Sequence, residues 1–101
     1  MRRITEHGCE LSERDIEMLE TLVPENLRGA LRRYIEFRIP PGDFLRAVLS
    51  NDLFEAVGRA DMASLAALPN LVIWLHNYTP SGCHGSPAAF AYWLSPEGEE
   101  S

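Results

Sequence analysis

Three helix starts follow one another within residues 40–61, PPGDFLRAVLSNDLFEAVGRAD. The stretch opens with two prolines, which remove two backbone donors and restrict the residues before them, so any preceding helix must end there. Asp43, Asp52 and Asp61 each precede an apolar run, where an acidic side chain caps a helix or lies in its first turn. We therefore predict three successive helices that begin near these residues, with short turns between them.

Two further helices are predicted before this stretch. Ser12, with Asp15 three residues later, has the pattern of a capping box. That helix should end near Val23, because a residue that precedes proline disfavours α conformation. Pro24 suits the first helical position, so a second helix should run from there to about Phe37.

The segment 62–78 is the longest apolar element, and Pro69 lies inside it. Since proline costs about 3 kcal/mol in a helix interior, we expect a kink or a fresh helix start there. A buried strand over Leu71–Trp74 is an alternative, because Val-Ile-Trp favours strands, although no partner strand is apparent. Ser86 and Pro87 then begin the last helix, as its N-cap and first helical residue.

These patterns together predict an all-α fold. A chain of 101 residues fits one domain and can bury enough apolar surface to fold without metal or disulfide bonds, so we predict no cofactor. We expect a compact single domain of five or six short helices over residues 11–94. Residues 1–10 form an N-terminal segment before it, and residues 95–101 form a flexible acidic tail.

The composition argues against several classes of function. The formal net charge is −6, and all nine basic residues are Arg. Such a domain is a poor general binder of nucleic acid, since phosphate neutralisation needs many converging cations. The start of the chain lacks the apolar run of a secretory signal, and the longest apolar run, Leu71–Leu75, is too short for a bilayer. We expect a cytoplasmic protein without membrane contact, in which Cys9 and Cys83 are thiols rather than a disulfide.

The charges of the opening stretch are one candidate for chemistry. Asp52, Glu55 and Arg59 share one helical face. Two carboxylates there could act as acid and base if their pKa values were split. A helix cap followed by an i, i+4 ion pair explains the same spacing, and we favour that interpretation.

The histidines and cysteines are a second candidate. They lie in two clusters near the ends of the chain, and a fold that joined the clusters could supply zinc ligands, although the spacing matches no familiar zinc motif. This metal-binding alternative rests on His7, Cys9, His76, Cys83 and His84. Adjacent residues such as Cys83 and His84 rarely orient thiol and imidazole toward each other, so we predict that the protein is not an enzyme.

Other residues are candidates for contact with another protein. Arg is enriched at protein interfaces and forms bidentate pairs with carboxylates, although an ordinary polar helix face explains the arginines of the second helix as well. The first helix is acidic. Near the C-terminal end, Phe90 and Trp93 should face inward, which leaves two tyrosines as anchors for a partner. The predicted partner-binding residues are Glu13, Glu17, Glu20, Arg28, Arg32, Arg33, Tyr78 and Tyr92.

An ordered pattern over residues 31–94 resembles a group of small uncharacterised proteins encoded by bacteriophages and prophages. The pattern reads YI, IPPG, FLRAVL, NDL, EA, RAD and GSP through Trp93. Members of that group often have Gly at the position of Arg38 and lack a proline at the position of Pro69. The resemblance brings no catalytic residue with it, and residues 1–27 lie outside it.

The resemblance implies a protein-binding module that acts in the host bacterial cell. Small acidic phage proteins without enzymatic motifs frequently bind a host protein, including components of antiviral defence such as CRISPR complexes. The expected partner is therefore a host protein or protein complex, as for an anti-CRISPR protein. A homo-oligomeric phage accessory or regulatory domain, such as a homodimer, is the alternative.

Overall fold

The computed structural model describes residues 3–5 and 8–94, and this part of the chain contains six α-helices. The helices are α1 (Glu13–Leu22), α2 (Glu25–Phe37), α3 (Asp43–Leu49), α4 (Leu53–Arg59), α5 (Met62–Tyr78) and α6 (Pro87–Leu94), with a 3₁₀ turn at Ser81–Cys83. Two antiparallel strands, β1 (Arg3–Thr5) and β2 (Gly8–Glu10), precede them. The predicted all-α fold of short helices is confirmed. None of the described helices is long and apolar enough to cross a membrane.

The predicted helix starts are found in the structure. The Asp15 N–H donates to Ser12 Oγ at 3.1 Å and the Ser12 N–H donates to Asp15 Oδ2 at 3.0 Å, which is the capping box. Asp52 and Asp61 cap α4 and α5, because each carboxylate accepts the N–H group three residues later. Ser86 caps α6 in the same way through its hydroxyl oxygen. Local capping therefore sets where these helices begin.

The fresh helix start considered at Pro69 does not occur, and the alternative strand is wrong. Helix α5 runs through Pro69 without interruption, and Leu71, Trp74 and Leu75 are buried beyond it at helical spacing. Both Pro69 and Leu65, whose carbonyl loses its usual donor at position 69, are exposed. Water can satisfy that carbonyl on the solvent-facing side, so the proline is tolerated there.

The β1–β2 hairpin is an element that the sequence patterns miss. Strand β2 packs so closely on α2 that a Cβ atom at Gly8 would lie 2.4 Å from the carbonyl oxygen of Ile35. The next two apolar residues, Cys9 and Leu11, belong to the core. The described part of the N-terminal segment is therefore packed onto the helical domain, while the predicted tail, residues 95–101, lies outside the described residues.

Three polar groups on aromatic side chains join the helices through the core. Trp74 Nε1 donates to the Asp15 carbonyl oxygen at 3.0 Å and connects α5 to α1. Trp93 Nε1 donates to the Tyr34 carbonyl oxygen at 2.8 Å, and the Tyr34 hydroxyl donates to the Cys83 carbonyl oxygen at 2.7 Å. Burial raises the pKa of Tyr34 far above its ordinary value, so the hydroxyl remains a donor. These bonds hold α2 against both α6 and the 3₁₀ turn.

Arg38 ends α2 in an unusual backbone conformation. Its φ is 58°, in the left-handed region where Gly carries no Cβ penalty. The guanidinium carbon lies 4.1 Å from the centroid of the Trp93 ring, and Nη1 donates to the Trp93 carbonyl oxygen at 2.7 Å. Both the ring face and the carbonyl groups at the end of α6 attract a cation. These contacts offset the backbone strain and attach α6 to the end of α2.

Candidate protein-interaction surfaces

Helix α4 leaves its large apolar side chains in solvent. Phe54 is 92% exposed, Leu53 is 64% exposed and Val57 is 43% exposed, whereas the small residue Ala56 is buried. The three exposed residues lie within about 100° of one another around the helix axis, and we call them the α4 ridge. Clustered apolar side chains on a protein surface commonly mark a contact with another molecule.

The turn before α4 determines how this helix is placed. Helix α3 ends in a Schellman motif, in which the N–H groups of Asn51 and Asp52 donate to the carbonyl oxygens of Val48 and Ala47 at 3.0 and 2.8 Å. Asn51 has a φ of 60°, which asparagine tolerates better than most residues. Asp52 caps α4 directly afterwards. Only Ser50, Asn51 and Asp52 separate the two helices, and α4 packs against α3.

A small apolar groove lies between the α4 ridge and α5. It has a volume of about 70 Å³, a little more than two water molecules occupy in the liquid. Such a groove admits the end of one apolar side chain. Its apolar lining consists of Val48, Leu53, Ala56, Leu68 and Val72.

Most of the exposed residues of α5 are also apolar; the polar ones are Asn70, His76 and Asn77. No Asp, Glu, Lys or Arg occurs between Met62 and Tyr78, and Met62 is 82% exposed. A helix that is apolar all round is normally buried on every side. We call the exposed residues of this side the α5 outer face: Met62, Leu65, Ala66, Pro69, Val72, Ile73 and His76.

The acidic residues predicted on α1 form one stripe. Glu13, Glu17 and Glu20 are spaced i, i+4 and i+7, and all three are exposed. Each pair of like charges at this spacing destabilises an isolated helix by about 0.2–0.5 kcal/mol. The stripe is accessible to a cationic surface.

The arginines predicted on α2 have different roles. Arg28 donates to two carbonyl oxygens near the end of α1, at 2.7 and 2.8 Å, and so caps a helix whose last turn has no basic residue. Arg32 forms a bidentate pair with Glu36, at 2.7 and 3.3 Å, and the hydrogen bond with Glu36 raises the pKa of Arg32. Arg33 is exposed. Arg28 is thus an intramolecular cap, and Arg33 is the most accessible of the three.

The aromatic residues near the C-terminal end divide into core and surface groups. Phe90 and Trp93 are buried as predicted, and the Phe90 ring stacks on that of Tyr34 with 5.4 Å between the centroids. Tyr92 is exposed on α6, whereas Tyr78 is half-buried and packs against the core. Tyr92 is therefore the more accessible of the two predicted tyrosine anchors.

The charges of the stretch 40–61 form ion pairs. Arg59 Nε lies 2.6 Å from Glu55 Oε1, and Arg59 Nη1 lies 3.3 Å from Asp43 Oδ2. The hydrogen bond with Glu55 is the main reason that the pKa of Arg59 is raised. Asp52 is occupied as the α4 cap. Together with Arg46 these side chains line an open cleft of about 400 Å³. Both carboxylates considered as an acid and a base, Asp52 and Glu55, thus have structural partners.

Among the described residues, no three His, Cys, Asp or Glu side chains are grouped so that they could hold a metal ion. Cys9 and Cys83 are buried thiols. His76 is exposed, and His7 lies outside the described residues. The geometry thus gives the metal-binding alternative no support.

The adjacent Cys83 and His84 side chains both contact backbone carbonyls. Cys83 Sγ donates to the carbonyl oxygen of Pro80 at 3.1 Å. His84 Nε2 lies 3.0 Å from the carbonyl oxygen of Leu75. Burial lowers the pKa of His84, while that hydrogen bond acts in the opposite direction. These contacts fit a structural role for the thiol and the imidazole.

Comparison with protein-family models, curated protein sequences and solved structures yields no match to this chain.

Sequence patterns do not reveal the α4 ridge or the α5 outer face. Apolar residues at helical spacing predict a core, and Leu53, Phe54 and Val57 have that spacing. Two features of the sequence nevertheless indicate these surfaces. On α4 the small residue Ala56 can pack closely against a neighbouring helix, which leaves the large residues outside. The segment 62–78 has no Asp, Glu, Lys or Arg, so any side of it that faces solvent lacks charged residues.

Proposed function

We propose that this protein is a binding module for another protein, not an enzyme, and that the α4 ridge is its contact surface. The observation that carries the proposal is Phe54, an aromatic side chain that is 92% exposed. It shares the ridge with Leu53 and Val57, and Leu53 also lines the apolar groove. An aromatic residue within an apolar cluster is typical of a binding hot spot, and burying a Phe side chain contributes about 1.5–3 kcal/mol.

The partner that we propose is a host protein or protein complex in the bacterial cytoplasm. The resemblance to phage and prophage proteins supports this choice, and an antiviral defence complex, as for an anti-CRISPR protein, is one such partner. The net charge of −6 and the acidic stripe of α1 would speed association with a basic protein surface. They would also make that association sensitive to salt.

Capture from host extract tests the proposal. The wild-type protein and a Phe54→Asp variant are immobilised, and the retained proteins are identified by mass spectrometry. Phe37→Asp serves as the matched control, because Phe37 is also an exposed aromatic residue, 58% accessible, at the end of α2. Circular dichroism of all three proteins checks that they are folded.

A host protein that is retained by the wild type and by Phe37→Asp, but lost with Phe54→Asp, is the expected result. The hot-spot magnitude of at least 2 kcal/mol corresponds to a decrease in affinity of about 30-fold. Identical retention by all three proteins, or no specific retention by the wild type, would refute binding through the ridge.

A homo-oligomeric phage accessory or regulatory domain is the second candidate. The specific observation in its favour is the α5 outer face, which has no Asp, Glu, Lys or Arg and is apolar apart from His76. A stable oligomer in the absence of any host protein would support this candidate.

A further inference from the structure

We infer that the α5 outer face is covered by a second copy of this chain, in a two-fold symmetric dimer. The inference rests on the second candidate function and deepens it by naming the surface and its occupant. The α5 outer face adjoins the apolar groove at Val72 but contains none of the three residues of the α4 ridge. Three properties of α5 support it: its lack of charge, its exposed area and the symmetry of its residue pattern.

The lack of charge favours a second copy as the occupant. Each copy has a formal charge of −6, so two copies repel each other wherever their carboxylates face one another. The α5 outer face has no Asp or Glu, and two copies can meet there without opposing carboxylates. Depletion of charged residues is characteristic of interface cores, especially in homodimers.

The exposed side chains of the face are sufficient for a weak dimer. Met62 is 82% exposed, and Leu65, Val72 and Ile73 are 39%, 48% and 46% exposed, so a second copy would cover four large apolar side chains of each subunit. With Ala66, Pro69 and His76 the face has seven residues per copy, fewer than the about 20–30 residues a side of a standard interface. We therefore expect a weak dimer that dissociates on dilution.

The residue pattern of the face is symmetric about Pro69. In an antiparallel pair of α5 helices with Pro69 at the two-fold axis, position 65 lies opposite 73, position 66 opposite 72, and position 62 opposite 76. Leu65 then meets Ile73 of the partner subunit, and Ala66 meets Val72 of the partner subunit, each contact occurring twice. The small residues near the axis allow the two helices to approach to about 8–10 Å. The face is thus complementary to itself.

Sedimentation equilibrium between about 1 and 500 μM tests the inference. We expect the wild type to change from monomer to dimer over this range, and Ile73→Glu to raise the dimer dissociation constant at least tenfold, because the glutamate would be buried against an apolar surface. Phe54→Asp is the matched control, since it introduces a carboxylate on the α4 ridge and should leave the dimer intact. Circular dichroism confirms that each variant is folded.

A cysteine at the axis tests the register. Under mild oxidation Pro69→Cys should form a disulfide-linked dimer, because the two copies of position 69 face each other, whereas Glu17→Cys on α1 should remain a monomer. A wild type that stays monomeric at 500 μM would overturn the inference. So would a dimer that Phe54→Asp weakens as much as Ile73→Glu does, or equal crosslinking of the two cysteine variants.

The two proposals fail separately. A dimer that captures no host protein leaves this inference standing and removes the host-binding proposal. Capture of a host protein by a chain that stays monomeric supports the host-binding proposal and overturns the dimer.

Discussion

Replacement of Gly8 by alanine tests the close packing of β2 on α2. An ideal Cβ atom at this position would lie 2.4 Å from the Ile35 carbonyl oxygen and 2.6 Å from the Glu36 carbonyl oxygen, and both contacts are with backbone. The φ of Gly8 is 150°, in a region that side chains rarely adopt and that costs about 1–3 kcal/mol. Neither the helix backbone nor the strand can relieve the overlap without moving apart.

We expect Gly8→Ala to lose about 3 kcal/mol of folding free energy, since the backbone strain is added to the separation of β2 from α2. For a domain of this size 1 kcal/mol corresponds to about 4–8 °C in Tm, so the midpoint should fall by roughly 12–24 °C. Thermal unfolding followed by circular dichroism measures the change. Gly82→Ala is the control, because its Cβ atom would meet nothing within 4 Å. A Gly8→Ala midpoint within about 2 °C of the wild type would refute the described packing of the hairpin.

Substitutions at three further positions, Arg38, His84 and Gly58, each test one local feature of the fold. Arg38→Ala should lower the free energy of unfolding by about 2 kcal/mol, because the variant loses both contacts with Trp93 but keeps the left-handed backbone. Arg38→Gly should be about 1 kcal/mol more stable than Arg38→Ala, because glycine adopts that backbone without a Cβ penalty. Equal free energies of unfolding in urea for these two variants would contradict the argument. The pKa of His84 is lower in the folded protein, so the unfolded chain binds the proton more tightly. The free energy of unfolding should therefore be highest above about pH 6.5, with respect to this group, and should decrease as the pH falls below that value. His84→Gln can still donate to the Leu75 carbonyl oxygen, so its free energy of unfolding in urea should decrease less between about pH 7.5 and 5 than that of the wild type. An equal decrease for the two proteins would count against His84 as the titrating group. Gly58→Ala should raise the free energy of unfolding by about 0.5–1 kcal/mol, because the added Cβ atom meets nothing within 4 Å on α4. A destabilised Gly58→Ala variant would show that this position is not an open helical one.

The binding surfaces could be predicted only in part. The acidic stripe of α1 and the exposure of Tyr92 follow from amphipathic spacing within one element. The role of Arg28 does not, because its partners are carbonyl groups of the preceding helix. Phe54 has the spacing of a core residue, and its exposure depends on how closely α4 packs on α3.

Local chemistry was enough to place the helices along the chain. The capping box of Ser12 and Asp15, and the caps at Asp52 and Asp61, involve residues no more than three positions apart, so their geometry is contained in the sequence itself. The stretch 40–61, which contains α3 and α4, is the clearest case. Two prolines and two capping aspartates define its helix boundaries without reference to the rest of the molecule.

The tertiary structure alone decided which surfaces those helices bury. The contact of β2 with α2 at Gly8 and the position of Arg38 over the Trp93 ring join residues that are far apart in the chain. Pro69 is tolerated in α5 because it lies on the side of the helix that faces away from the core. The α4 ridge and the α5 outer face arise in the same way. A helical apolar pattern specifies that a face should be covered, but the arrangement of the neighbouring helices determines whether this chain covers it or leaves it for a partner.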